Sequence, residues 1–169
     1  MFLINILFIT ALCVRFYSLS ISIRNEKALI QQGAIQYGKY TSILLSFAHI
    51  VFYLSAIIEA NTQNVTIDTL SVIGLIILGF SLIMLFYVIH LLKGIWTVKL
   101  YILPKHPIVH SWLFKYFRHP NYFLNIIPEL IGLSLFCHAK NTAHYGLPIY
   151  LCLLLIRIIQ EEKAMTHLR

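Results

Sequence analysis

DTLSVIGLIILGFSLIMLFYVIHLL, residues 68–92, contains a single acidic residue, Asp68 at its start, and no Lys or Arg. A helix needs about 20 mainly apolar residues to cross a hydrocarbon core about 30 Å thick. This run supplies that length, and similar runs lie on either side of it, at about 1–23, 41–60, 120–138 and 143–160. The last two are near the short end of spanning length. Between the runs lie Arg24 to Tyr40, Asn61 to Ile67, Lys93 to His119 and Ala139 to Thr142. The chain is 59% hydrophobic and 11% charged, whereas a soluble domain is roughly a quarter charged. The expected fold is an all-α polytopic transmembrane bundle of about five membrane helices. With 169 residues in all, it forms one domain, residues 1–169, with no room for a second.

The formal charge is +7, but the basic residues are divided among short connections. They form no single stripe of the kind that binds nucleic acid, and anionic lipid head groups are the expected neighbours. Positive residues are retained on the cytoplasmic side during insertion. Arg24, Lys27 and Lys39 lie in the first connection, and Lys93, Lys99, Lys105, Lys115 and Arg118 in the third. The second has no Lys or Arg, and the fourth has only Lys140. The expected orientation is therefore a multi-pass protein with its N-terminus outside and with the 93–119 segment and C-terminus in the cytosol.

Several features carry little chemistry. Cys13, Cys137 and Cys152 lie in apolar runs without a CxxC pair, and are expected to pack as small buried hydrophobes. Met1-Phe-Leu-Ile-Asn5 has no positive region and no cleavage pattern, so the first run is expected to remain as a helix. Asn64-Val-Thr66 fits a glycosylation acceptor, a tripeptide frequent by chance. Arg15 is expected to extend to the interface in preference to an intramembrane pair. Glu129, costly in a membrane unless paired or protonated, is expected to have a structural partner, with Arg15 or a role in shaping a pocket as the options. His49 and His90 read as interhelical hydrogen-bonding groups.

The polar residues concentrate in two places. One is the segment from Pro104 to Tyr122, which ends Arg118-His-Pro-Asn-Tyr122; the other is Arg157-Ile-Ile-Gln-Glu161-Glu162. Prolines at 104, 107 and 120 prevent a continuous helix in the first, and irregular backbone at membrane depth persists only where protein buries it or it lines a cavity. Pro120 suits a first helical turn, which leaves His119 near free N–H groups that favour an anion. On the last helix, Arg157 and Glu161 stand four residues apart on one face, while Glu162 is turned by about 100°. From these positions alone, a two-part binding site and an ordinary interfacial ion pair both remain open. No metal is expected at His106, His110 and His119, because prolines disrupt their register and the surrounding groups are cationic. A Ser-His-Asp relay would need Asp68, expected on the opposite membrane side. No Gly-rich dinucleotide loop is present.

Arg118-His-Pro-Asn-Tyr122 followed by Arg157-x-x-x-Glu161-Glu162, with Trp96-Thr97 and His106-Pro-Ile-Val109 upstream, resembles the isoprenylcysteine carboxyl methyltransferase family. The resemblance covers about the C-terminal half. It implies a polytopic membrane enzyme that uses S-adenosylmethionine in a cytosolic pocket formed by the 93–122 segment and the C-terminal helix. Residues 1–92 would then be membrane scaffold, and 93–169 the cofactor- and substrate-binding region. By the same resemblance, Lys99, His106, Pro107, Ile108, Val109, Phe114, His119, Pro120, Asn121, Tyr122 and Glu161 would contact the cofactor, and Arg157 would be catalytic and face the acceptor's carboxylate. Where the family carries Gly-x-Tyr, this chain has Trp112-Leu113-Phe114.

The implied reaction is carboxyl O-methylation of an isoprenylcysteine-like acceptor that reaches the site from the bilayer. A phospholipid amine or a phenolic lipid is the alternative acceptor. Outside the enzyme class, the alternative is a non-enzymatic membrane assembly or transport subunit whose polar cluster is a docking face.

Overall fold

The computed structural model describes residues 1–104 and 111–166. The helices are α1 (Phe2–Gln31), α2 (Lys39–Thr62), α3 (Thr69–Leu91), the short α4 (Trp112–Tyr116), α5 (Asn121–Phe136) and α6 (Thr142–Thr166). Among the described residues, α1, α2, α3 and α6 are the four helices long and apolar enough to span a membrane, and α5 is a shorter apolar helix. At a rise of about 1.5 Å per residue, α5 falls short of a full crossing. It lies instead within the bundle, burying Asn125, Glu129, Leu130, Gly132, Leu133 and Phe136.

Lipid tails are as apolar as leucine, so close backbone contact has to replace the hydrophobic effect between membrane helices. Glycines provide that contact between α3 and α5. A Cβ on Gly74 would lie 2.2 Å from the Phe136 nitrogen, and one on Gly132 would lie 2.6 Å from the Leu78 nitrogen. Each helix thus sits in a notch of the other. On the far side of α5, Ile4, Phe8 and Ala11 of α1 join Phe52, Tyr53 and Ala56 of α2 in one buried cluster with Leu130, Leu133 and Leu154.

Inside this packing is a charged knot. Glu129 has no exposed surface, and its Oε1 lies 2.8 Å from Nε of Arg15 and 3.5 Å from Nε2 of His49. Tyr53 donates its hydroxyl proton to the same oxygen. Arg15 also lies 3.2 Å from His49 Nε2, and Nδ1 of that ring is 3.3 Å from the Tyr150 hydroxyl. Arg15 therefore does not extend to the interface as expected. The geometric reason is its place midway along a 30-residue helix, where the buried Glu129 carboxylate is within reach. His49 takes the interhelical role read from the sequence. His90, by contrast, is exposed at the end of α3 and has no hydrogen-bond partner among the described residues. Cys137 is buried as expected, but Cys13 and Cys152 lie on the outer surface of their helices.

The starts of α3 and α6 are closed by side chains, which satisfy orphan backbone groups. At the end of the bundle holding the α2–α3 connection, Glu59 accepts bonds from the backbone N–H groups of Asn141 and Thr142, both at 2.9 Å, and so caps α6. Asp68 caps α3 by accepting from the Ser71 N–H at 2.8 Å.

At the opposite end α1 runs past the expected residue 23 to Gln31, and its added turns bind the third connection. Asn25 donates to the Trp96 carbonyl at 2.9 Å, and the Ser22 hydroxyl accepts from the Val98 N–H at 2.9 Å. Parts of the first and third connections pair as a small antiparallel ribbon of β1 (Ile35–Tyr37) and β2 (Leu100–Ile102), with Gln36 opposite Tyr101. The ribbon satisfies backbone that would otherwise lie unpaired near the membrane.

Removing one partner of a buried ion pair strands the other charge, at a cost of about 3–5 kcal/mol. Arg15→Met is therefore expected to lower unfolding stability in detergent by about 3 kcal/mol. Arg15→Met combined with Glu129→Gln should recover a large part of that loss, which a thermal denaturation series of the two variants and the parent measures directly.

Candidate functional site

The site lies at the ribbon end of the bundle. Pro120 opens α5, whose first turns, Asn121–Ile126, are wound wide with π-type hydrogen bonding. Such wide turns occur frequently at functional sites. They direct Tyr122 toward α6, where its hydroxyl donates to Glu161 Oε2 at 2.7 Å. The ring of His119 stacks on that of Tyr122, with centroids 5.7 Å apart and planes 18° from parallel. His119 also stands between two carboxylates, with Nδ1 at 3.6 Å from Glu161 and Nε2 at 3.5 Å from Glu162. Thus Glu162, turned away from Glu161 on the helix, meets the preceding segment as its angular position allowed.

Arg157 and Glu161 share a face of α6 but are not paired with each other. Arg157 is 3% exposed. Its Nη1 donates to the Ser42 hydroxyl at 2.8 Å and its Nη2 to the Val98 carbonyl at 3.3 Å, both neutral acceptors. Glu161 turns to Tyr122 and His119. The ordinary interfacial ion pair left open by the sequence is therefore not formed. Each charge is held separately at the wall of one cavity.

That cavity has a volume of about 520 Å³. Lys99, Phe114, His119, Pro120, Asn121, Tyr122, Arg157 and Glu161 all line it, so the structure brings these candidates together. His106, Pro107, Ile108 and Val109 lie outside the described residues. Lys99 lines the cavity, but its ammonium is engaged 2.6 Å from Glu26 of α1. Tyr101 donates to the same Glu26 carboxylate at 2.7 Å. Burial, reinforced by that carboxylate, pushes the Tyr101 hydroxyl up to about 12, so it remains a donor at neutral pH. The lining is mixed, with apolar Val88, Leu92 and Ile95 beside polar Glu161, Glu162, Arg118 and Thr97.

Sequence reading missed Ser42, Glu26 and Tyr101, because each acts through a contact with an element far along the chain. The only sequence sign was that Glu26 is an acidic residue within a basic connection. Nor does a relay arise elsewhere among the described residues. His138 approaches both Asp68, at 2.9 Å, and Ser71, at 3.0 Å, but through the same nitrogen. A relay needs one ring nitrogen for each partner, and this trio completes the α3 cap instead.

The Glu161 carboxylate beside its ring raises the His119 pKa above the usual value, against the opposing effect of burial, with Glu162 adding to the rise. A raised imidazole pKa gives stability that is fully present below the unfolded value of about 6.5 and is lost as pH climbs through the folded value. The unfolding temperature is accordingly expected to fall as pH rises across that window. His119→Gln should flatten this slope in a pH series of thermal scans.

Comparison with known proteins adds a family to this geometry. The sequence profile of the isoprenylcysteine carboxyl methyltransferase (ICMT) family matches residues 72–167, and the chain belongs to that family. An uncharacterized protein of Haemophilus influenzae (strain ATCC 51907 / DSM 11121 / KW20 / Rd) is 68% identical over 168 residues, covering 99% of this chain and 98% of that one. Uncharacterized protein YpbQ of Bacillus subtilis (strain 168) is 28% identical over 154 residues, covering 90% of each chain. No solved structure matches the chain.

Proposed function

We propose that this family member is an S-adenosylmethionine-dependent methyltransferase that methylates the carboxylate of a lipophilic, isoprenylcysteine-like acceptor at the cytosolic membrane face. Family membership supports methyl transfer. The observation that carries the rest is the separation of Arg157 from Glu161 around a single cavity, one buried cation and one carboxylate, each bound to other partners.

The donor set suits the cofactor. A sulfonium that also carries an amino acid and a nucleoside needs carboxylate, flat aromatic surface and polar contacts, and the cavity wall offers Glu161 and Glu162, the stacked rings of His119 and Tyr122, and Asn121. Glu161, His119, Pro120, Asn121, Tyr122 and Phe114 would hold it, with His106 to Val109 completing the wall by family resemblance. When bound, S-adenosylmethionine supplies an electrophilic methyl group, whose transfer to a carboxylate oxygen leaves a neutral thioether and requires no proton movement.

The residues of the chain therefore have a positioning task. Tyr122 fixes the Glu161 carboxylate through its hydroxyl. Arg157 would fix the acceptor carboxylate through two parallel N–H donors, a geometry that lysine cannot copy. The apolar lining residues Val88, Leu92 and Ile95 would take the first part of a greasy tail and exclude water. Alignment in a dry site can account for about 7–11 kcal/mol of a barrier. The cytosolic placement rests on the Lys and Arg residues concentrated in the first and third connections, which meet at the ribbon.

Calorimetric titration of detergent-purified protein with S-adenosylhomocysteine is expected to show saturable binding, weakened about tenfold or more in Glu161→Ala, since a charge-assisted contact is lost. Arg157→Lys should keep that binding while turnover of an S-farnesylcysteine acceptor falls about a hundredfold. No binding by the parent protein would favour the docking-subunit reading.

A further inference from the structure

Resting on the reading above, we infer that Ser42, in the first turn of α2, is a positioning residue for the acceptor carboxylate, so that the N-terminal part of the chain builds half of the substrate anchor. Ser42 lies before the 72–167 segment matched by the family profile.

Four observations converge on this hydroxyl. It is buried at 3% exposure. Its proton is committed, because Ser42 Oγ donates to the Gly38 carbonyl at 2.9 Å. With the proton directed there, its lone pairs remain for Nη1 of Arg157 at 2.8 Å. The turn is also shaped for close approach: Gly38 has φ +58°, and a Cβ there would fall 2.3 Å from Gln160 Oε1 and 3.5 Å from Nη1 of Arg157.

A serine whose proton is already given away acts on the guanidinium purely as an acceptor. Together with the Val98 carbonyl at 3.3 Å, it fixes two of the five N–H donors that a guanidinium carries. Nη1 and Nη2 are both held, so the plane of the group cannot rotate about its long side chain. Three donors are left over, on a residue that lines the cavity. Two neutral acceptors orient the cation without neutralising it, which leaves its charge for an incoming anion. A carboxylate partner in place of Ser42 would orient Arg157 equally well and would compete with the acceptor.

The test compares Ser42→Ala, Ser42→Thr and Arg157→Lys with the parent in lipid-reconstituted protein, using S-farnesylcysteine as methyl acceptor and S-adenosylhomocysteine as the binding probe. Loss of one hydrogen bond to a charged group corresponds to about tenfold or more. Ser42→Ala is expected to raise the acceptor KM about tenfold, with S-adenosylhomocysteine affinity within about twofold of the parent. Ser42→Thr keeps an oxygen that can donate to the residue four before it and is expected to restore KM. A structural role alone would depress donor-product binding and kcat along with KM, and would not be rescued selectively. An unchanged KM in Ser42→Ala, alongside an impaired Arg157→Lys, would overturn this inference while leaving the proposed reaction standing. A fully active Arg157→Lys, or no methylation by the parent, would overturn the reaction itself.

Discussion

A carboxylate without exposed surface inside a membrane bundle can remain only if several groups converge on it, and Glu129 meets that condition by drawing in Arg15, His49 and Tyr53. Tyr150 closes the set through His49. Desolvating a carboxylate and a guanidinium carries a cost of several kcal/mol per ion, so no rotation of α1, α2 or α5 that separates them is tolerated. The knot thereby fixes the angular setting of those helices. Gly74 and Gly132 add the second constraint, since each lies against the backbone of the facing helix. Held from both sides, α5 has one position.

That position is transmitted to the site by helical period. Two turns of helix span about seven residues, with a drift of about 20° per heptad. On α6, Tyr150 in the deep knot and Arg157 at the cavity are seven residues apart; on α2, so are His49 and Ser42. The cross-helix pairs repeat accordingly, His49 with Tyr150 below and Ser42 with Arg157 above. On α5, Glu129 and Tyr122 have the same separation, with the wide turns of Asn121–Ile126 adjusting the final angle toward Glu161. A charged cluster deep in the bundle therefore sets the register of the residues that line the cavity two turns away.

The helices were legible because membrane solvation leaves a one-dimensional signal: an uninterrupted apolar run of spanning length is suited to a bilayer and to little else. The cavity at the end of the bundle was legible for a related reason, since Pro120 and the Arg157 to Glu162 cluster violate the rules that the rest of the chain obeys. What stayed hidden depends on distant partners. The sequence offers Arg15 both as a snorkelling side chain and as an option for Glu129, and only the fold decides for the pair. Ser42 is an unremarkable hydroxyl until Arg157, 115 residues away, reaches it. The β-ribbon pairs three-residue strands, Ile35–Tyr37 and Leu100–Ile102, from separate connections, too short for any alternation to register.

The electrostatic asymmetry of the cavity bears directly on what it can accept. Glu161 accepts from the Tyr122 hydroxyl and stands beside the His119 imidazole, whose pKa it raises, so its negative charge is answered in part within the protein. Arg157 is the more deeply buried of the two, and its hydrogen bonds end on a hydroxyl and a carbonyl, which orient the cation without carrying a charge of their own. A buried cation whose direct hydrogen bonds end on neutral groups is a costly arrangement, and a group with a full negative charge relieves it better than a neutral one. A protonated amine brought to the same place would add repulsion to an unrelieved cation. For the proposed reaction, this charge placement suits a carboxylate better than an ammonium at Arg157, with the two neutral partners holding the guanidinium still.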